Sequence, residues 1–444
     1  MEVRYIIKND FILKIKNIYF FFKKKIKNFP LRRFLFLIII LFIYRIGNFI
    51  PIPGIRINFF KIKRNIYRNN FISIINIFSG IKLSNFSMFS LGIMPYISSS
   101  ILIQLLSLIS PYIKSLKLEG ELGNSKILKL TKYFTILFSF LQSLIVLLSL
   151  ILKKNKILHL DFIFYITLIV TFTTSAVIIM WFSEQITKYG LGNGISIIIF
   201  VSIITGLSQI INNFFSLIFL KKNFFLIVLI FIILVFIIVF FEKGQRKIYI
   251  SYINKQINNK IYFNKSIYLP LKLNISGVIP VIFSSSIISL PSILINWFLF
   301  KKNIFFFFFK KISFFLIPGK LLYIILHICL IIFFCFFYSS IIFNSYEIAE
   351  NLKKNDALII GLRPGNYTFN FINKILLQLT FLGSLYISLI YLLPQFLIYY
   401  FKFSFYFSGT SLLIIVLVAM DILEQIQCFI IDKENNSLFK NIKI

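Results

Sequence analysis

Ten blocks of mostly apolar residues recur along the 444-residue chain, and they leave few folds open to it. A helix needs about 20 such residues to span the hydrocarbon of a bilayer. No water is available there to bond the backbone, so helices are the default spanning element. The blocks lie at 35–49, 86–109, 133–152, 162–182, 195–211, 224–241, 275–300, 321–343, 375–391 and 411–429. Composition agrees: 59% of residues are apolar and 14% charged, against about 45–50% and about 25% in soluble domains. No compact water-soluble core of this size could hide such blocks. An all-α membrane protein with ten transmembrane helices is expected. A shorter apolar piece at 71–78 precedes the second block and is too short to cross.

Lys plus Arg number 48 against 14 Asp plus Glu, a net charge of +34. Such an excess on a membrane protein fits anionic lipid, an acidic partner or RNA. However, Ile, Phe, Lys, Asn and Tyr dominate even in the loops, a mark of AT-rich codons, so the distribution of charge is the better guide. With ten spans both termini share a side, and that side carries 30 basic residues against 17 on the other. The positive-inside rule therefore puts both termini in the cytoplasm. Two long polar loops, 243–272 and 344–374, fall on the same side and are natural docking surfaces. Residues 1–30 alternate lysine with aliphatics and have no cleavable apolar core, so they read as a cytosolic amphipathic arm. Residues 431–444 read as a cytosolic tail. Five blocks precede residue 215 and five follow 216, an odd number per half, which permits an inverted repeat. Ten spans without internal symmetry fit the residues equally well.

Several chemistries find no footing. Cys329, Cys335 and Cys428 form no CxxC pair, and the two histidines, His159 and His327, lie in different blocks, so neither a metal site nor histidine catalysis is indicated. Glu184, Glu242, Asp421 and Glu424 fall at or near block ends, and only Arg45 is clearly within one. An ion-coupled transporter would need intramembrane carboxylates. The glycine-rich GLGNG at 190–194 lacks the Lys and Ser/Thr of a phosphate loop and suits a tight turn before a span.

A set of short motifs resembles one family. They are RIGNFIPIPGI at 45–55, FSG at 78–80, LGIMPYIS at 91–98, EQIT at 184–187, GNGISIIIF at 192–200 and EKGQR at 242–246. LPLKLN at 269–274, GVIP at 277–280, NLKK at 351–354, GLRPG at 361–365 and GTSLLI at 409–414 follow. In this order, and over about residues 31–430, they resemble SecY, the channel-forming subunit of the Sec protein translocase. The resemblance implies two inverted five-helix halves, 31–215 and 216–430, around a central pore, with a re-entrant plug half-helix at about 64–80. It implies no enzymatic activity and no cofactor. The runner-up reading is an inverted-repeat secondary transporter of a small solute.

The resemblance assigns roles residue by residue. An aliphatic ring closing the pore corresponds to Ile93, Ile97, Ile195, Ile199, Ile282 and Ile414. A narrow apolar ring excludes water and ions by dewetting yet deforms around a passing chain. Isoleucine is so abundant here that the motif matches alone single these six out. The plug corresponds to the stretch with Arg64, Arg68, Ile74, Ile75 and Phe78, which is more basic than family plugs; an outer loop on lipid head groups is the alternative. A lateral gate between the second and seventh spans would bring Ser98, Ser99, Ser100, Gln142 and Asn274 toward one seam, where polar contacts in membranes are worth about 0.6–2 kcal/mol each. Arg246 and Lys247, with Lys255 and Lys260, and Arg363 in its Gly-Pro turn match the docking surface for the ribosome and the SecA ATPase. A SecE-like subunit is implied as an obligate partner, a SecG-like subunit is left open, and signal sequences, preproteins and anionic lipids complete the set. The implied site is a bacterial-type inner membrane, with a plastid membrane of bacterial descent also open.

Overall fold

The computed structural model describes residues 30–52, 87–152, 162–218, 224–252, 267–298, 321–355, 357–401 and 409–442. The arm at 1–29, the short piece carrying Arg64, Arg68, Ile74, Ile75 and Phe78, and loop residues Lys255 and Lys260 lie outside them.

Helices occupy most of the described parts of the apolar blocks. Helix α1 (Leu31–Gly47) starts directly after Pro30, whose carbonyl accepts from the Phe34 amide at 3.1 Å. Its buried residues, Leu37, Ile40, Tyr44 and Gly47, recur every three or four positions, one stripe of a 3.6-residue helix. Leu35, Ile39, Phe42 and Ile46 face outward, as suits a helix whose surroundings are lipid.

Helix α2 (Met94–Ile109) begins later than the block at 86–109 that predicts it. Residues 87–93 instead form turns, with Ser87 bridged to Pro51 and the Met88 amide donating to Ile50 O at 2.9 Å. Pro95 fits because the first helical turn needs no amide donor there. The helix stops at Ser110, whose extended backbone (ψ 118°) is what a residue before proline prefers, and Pro111 opens the short α3 (Pro111–Leu118).

Helix α4 (Glu121–Leu152) overruns its predicted span, 133–152, by three turns on its polar side. Hydropathy marks only the lipid-crossing part, whereas helix propensity carries on into water. There Lys132 reaches Glu184 of α5 (Phe162–Tyr189) at 2.7 Å. Helices α6 (Gly194–Ile218), α7 (Phe224–Lys243), α8 (Ile279–Phe298), α9 (Leu321–Ile342) and α10 (Ser345–Lys354) follow, then α11 (Asn366–Phe401) and α12 (Gly409–Ile442). Helix α11 likewise overruns 375–391. Helix α12 runs on through most of the segment expected as a separate tail at 431–444. Among the described residues, five helices are long and apolar enough to cross a membrane by length and composition alone.

The expected loops 243–272 and 344–374 are, in part, sheet. Strands β1 (Gln245–Tyr252), β2 (Ile267–Lys272) and β3 (Ala357–Ile359) pair antiparallel in the order β2-β1-β3. On β1, Ile248 and Ile250 turn inward while Lys247 and Tyr249 turn out, the two-residue period of a half-buried strand. Pro270 is tolerated because β2 is an edge strand. The inner face, Ile248, Leu271 and Ile359, packs on Ile372, Ile375, Leu376 and Leu379 at the foot of α11. A larger continuous apolar cluster draws on α1, α2, α5 to α9, α11 and α12, and Tyr44 of α1 is pinned inside it by a 2.8 Å bond to Ser202 of α6.

Candidate functional site

Helices α2, α6, α8 and α12 each present an aliphatic residue within about their first two turns, and these meet in the large cluster. Ile93 and Ile97 flank the start of α2, and Ile195 and Ile199 sit one turn apart at the start of α6, so each pair shares a helix face. Ile282 follows the start of α8, and Ile414 that of α12. Five of the six are buried, and Ile195 is half-buried against them. These starts are held from behind. Gly194 allows the close approach, since a Cβ there would run into the Ser183 carbonyl, and Thr187 Oγ1 accepts from the Gly194 amide at 3.0 Å. The Gly192 amide donates to Gln425 Oε1 of α12 at 2.5 Å, tying the turn before α6 to the last helix.

The candidate seam residues are placed differently from one another. The hydroxyls of Ser98, Ser99 and Ser100 donate back to Met94 O, Tyr96 O and Ile97 O on their own helix at 2.8–3.0 Å. Asn274 lies in the turn before α8, where its amide nitrogen donates to Glu242 Oε1 at 2.7 Å and its Oδ1 accepts from the Gly277 amide at 3.0 Å and Ser276 Oγ at 3.2 Å. Expected contacts between these serines and Asn274 are therefore not made: short Ser side chains in helices satisfy themselves locally, and Asn274 is spent on a buried carboxylate. Gln142 is half-buried on α4, which packs against both α2 and α8.

Residue-by-residue reading of the sequence missed the joint that Asn274 serves. Glu242 at the foot of α7 is buried, Phe241 beside it stacks on Tyr386 of α11 at 4.6 Å, and the Leu273 amide donates to Gly244 O at 3.0 Å. Next door, Lys272 meets Glu424 of α12 at 2.6 Å. The signal was there in EKGQR and LPLKLN, two polar motifs bounding one loop, but not the pairing between them.

Arg246 and Lys247 are exposed on β1, opposite Leu271 and Pro270, and the Lys247 ammonium lies 4.8 Å from the centre of the Tyr268 ring. Arg363 is exposed in the turn that leaves β3. Gly361 and Gly365 bracket it at φ 84° and 108°, a region other residues enter at a cost, and Pro364 restricts the backbone between them. The sheet thus joins two loops more than a hundred residues apart into one basic surface. Arg45 ends α1 with its guanidinium 4.8 Å from the Phe49 ring centre.

A largely helical apolar body, with the six isoleucines in or against its large apolar cluster and a small basic sheet packed on α11, defines a polytopic membrane protein. The SecY family model matches residues 87–423. The Protein translocase subunit SecY of Buchnera aphidicola subsp. Schizaphis graminum is 45% identical over 433 residues, covering 95% of this chain and 97% of that one. Its counterpart in Escherichia coli K12 is 42% identical, covering 93% and 94%. The chain belongs to the SecY family. Its fold is also that of a structure described as "The structure of a protein conducting channel" (TM-score 0.62, 15% identity, 90% and 92% covered). The same holds for one described as "Sec61 in the Canine ribosome-channel complex from the endoplasmic reticulum" (TM-score 0.59, 14% identity, 90% and 92% covered).

Proposed function

We propose that this chain is the channel subunit of a Sec translocase, conducting unfolded preproteins across a membrane and releasing transmembrane segments sideways into lipid. The observation that carries the reading is that Ile93, Ile97, Ile199, Ile282 and Ile414, near the starts of four helices, belong to one buried apolar cluster with Ile195 packed against it. An apolar constriction of this kind blocks water and ions at rest and needs no bonds specific to any one cargo. Ten transmembrane helices in two inverted halves, with 64–80 as the plug, complete the architecture. A small-solute transporter is disfavoured because Glu184, Glu424 and Glu242 are each already bonded, to Lys132, Lys272 and Asn274.

The lateral gate runs between two helix pairs. Packing of α2 with α4 and of α8 with α9, with α4 against α8 at their junction, supports this division. Ser98 to Ser100 and Gln142 line one side, while Asn274 sets the foot of the other. Arg246, Lys247 and Arg363 form the docking surface for SecA and the ribosome, on the cytoplasmic side with both termini. The chain itself is not an enzyme; SecA or translation supplies the work. A SecE-like subunit holds the two halves, a SecG-like subunit is left open, and anionic lipid meets the basic cytoplasmic face of the inner membrane.

The test is resting conductance in planar bilayers of the chain with its SecE-like partner. Replacing both Ile97 and Ile199 with Gly is expected to turn a silent channel into an ion-leaking one, and to do so without a signal sequence. A multiply substituted ring that stays silent refutes the constriction.

A further inference from the structure

His327 sits at the end of the second turn of α9, 2% exposed, in an apolar stretch of a chain that has 58 Phe and two His. A ring needed only to fill space would be Phe here. An intramembrane ionisable side chain is costly and points to a role with a nameable partner. That partner is Ser284 of α8, whose Oγ lies 3.0 Å from His327 Nε2. The Ser284 hydroxyl also donates to Val281 O at 2.9 Å. It has one proton, so Nε2 must carry its own and donate to Ser284 Oγ. The imidazole is thereby set as the Nε2–H tautomer, with Nδ1 buried and without a hydrogen-bond partner. One face of the ring stacks on Tyr391 of α11 with centroids 4.2 Å apart, and Tyr323, one turn earlier on α9, meets its edge at 5.7 Å.

A single side chain therefore bonds α8 and stacks on α11 from α9. Ser284 is two residues beyond Ile282, so the bond falls on the part of α8 that brings an aliphatic group to the constriction. We infer that His327 is a positioning residue of the channel: it makes α8 move only together with α9 and α11, so that the Ile282 side of the constriction cannot swing out alone. The inference rests on the channel reading above. Without the tie, α8 is released to move by itself, and opening needs a weaker signal.

The test uses the full chain with its SecE-like partner in SecA-driven proteoliposomes, with one reporter carrying a normal signal sequence and one a crippled signal. His327→Phe keeps a stacking ring and removes the bond; Ser284→Ala removes the same bond from the other helix; His327→Gln keeps an N–H at the reach of Nε2. Both His327→Phe and Ser284→Ala are expected to raise transport of the crippled reporter about three- to tenfold, the shift of a two-state balance by one interhelical hydrogen bond. The double variant is expected to go no further than either alone, and His327→Gln to stay within about twofold of the parent. Additive effects in the double variant, or parental stringency in folded His327→Phe and Ser284→Ala, overturn the inference. If His327→Phe fails to assemble, parental stringency in Ser284→Ala overturns it alone. A parent that transports nothing even with a normal signal overturns the channel reading and this inference with it, so the two failures are distinct.

Discussion

Replacing Asn274 with Leu tests the joint at the foot of α7 and α8. The substitution removes the 2.7 Å bond to Glu242 and the two acceptor contacts to Ser276 Oγ and the Gly277 amide. Asn274 is 5% exposed and Glu242 8%, so water cannot take over without the joint opening. Leaving a buried polar group without its partner costs about 1–3 kcal/mol, more when it is charged, so losing the Glu242 contact and the turn contacts together should cost about 3–5 kcal/mol. That exceeds the roughly 0.6 kcal/mol of an average polar contact within a membrane, because Glu242 is left buried without its donor and burial already pushes its pKa up to about 7, so the cost is largest above that pH, where the group is charged. Thermal unfolding followed with a thiol-reactive dye reads this once the exposed Cys329 and Cys428 are replaced by Ser in every variant compared, since Cys335 is then the one thiol left and is buried until the helices part. Pairing Asn274→Leu with Glu242→Leu should recover much of the loss, since removing both partners of a buried bond is far cheaper than removing one. A cost below about 1 kcal/mol for Asn274→Leu, or costs that simply add in the double variant, would refute the joint as described.

Arg363→Glu should abolish SecA-driven transport while shifting stability by no more than about 0.5 kcal/mol, as for other exposed loop charges; transport at the parental rate removes Arg363 from the docking surface. Gly194→Ala should destabilise the chain by about 1–3 kcal/mol, because the new methyl meets the Ser183 carbonyl where α5 and α6 touch. A midpoint of thermal unfolding equal to the parent's would mean that these helix ends do not pack as closely as described.

The apolar blocks were legible in the sequence because what makes a membrane helix is local: every backbone bond of α5 or α9 closes within its own segment, and its length is set by the bilayer. That Ile93, Ile97, Ile195 and Ile199 fall in the apolar interior was legible for another reason: motifs such as LGIMPYIS and GNGISIIIF mark residues one by one, and the i, i+4 spacing of 93 and 97 or 195 and 199 puts each pair on one face. Hydropathy was a poorer guide where a helix leaves the lipid. It stopped α4 at 133 and α12 at 429, although the helices continue from 121 and to 442, because water ends the apolar run without ending the helix. Only the tertiary structure decided the rest. Strand β1 reads as loop until β2 and, a hundred residues later, β3 supply its bonds, since a strand has no hydrogen-bond partners of its own. Nothing in the sequence pairs Asn274 with Glu242, 2.7 Å away, and His327 reads as an isolated histidine until α8 and α11 bring Ser284 and Tyr391 to its ring. Each of these depends on which helices become neighbours, and the outward faces of lipid-exposed helices, apolar all round, carry no pattern that says which side will meet which.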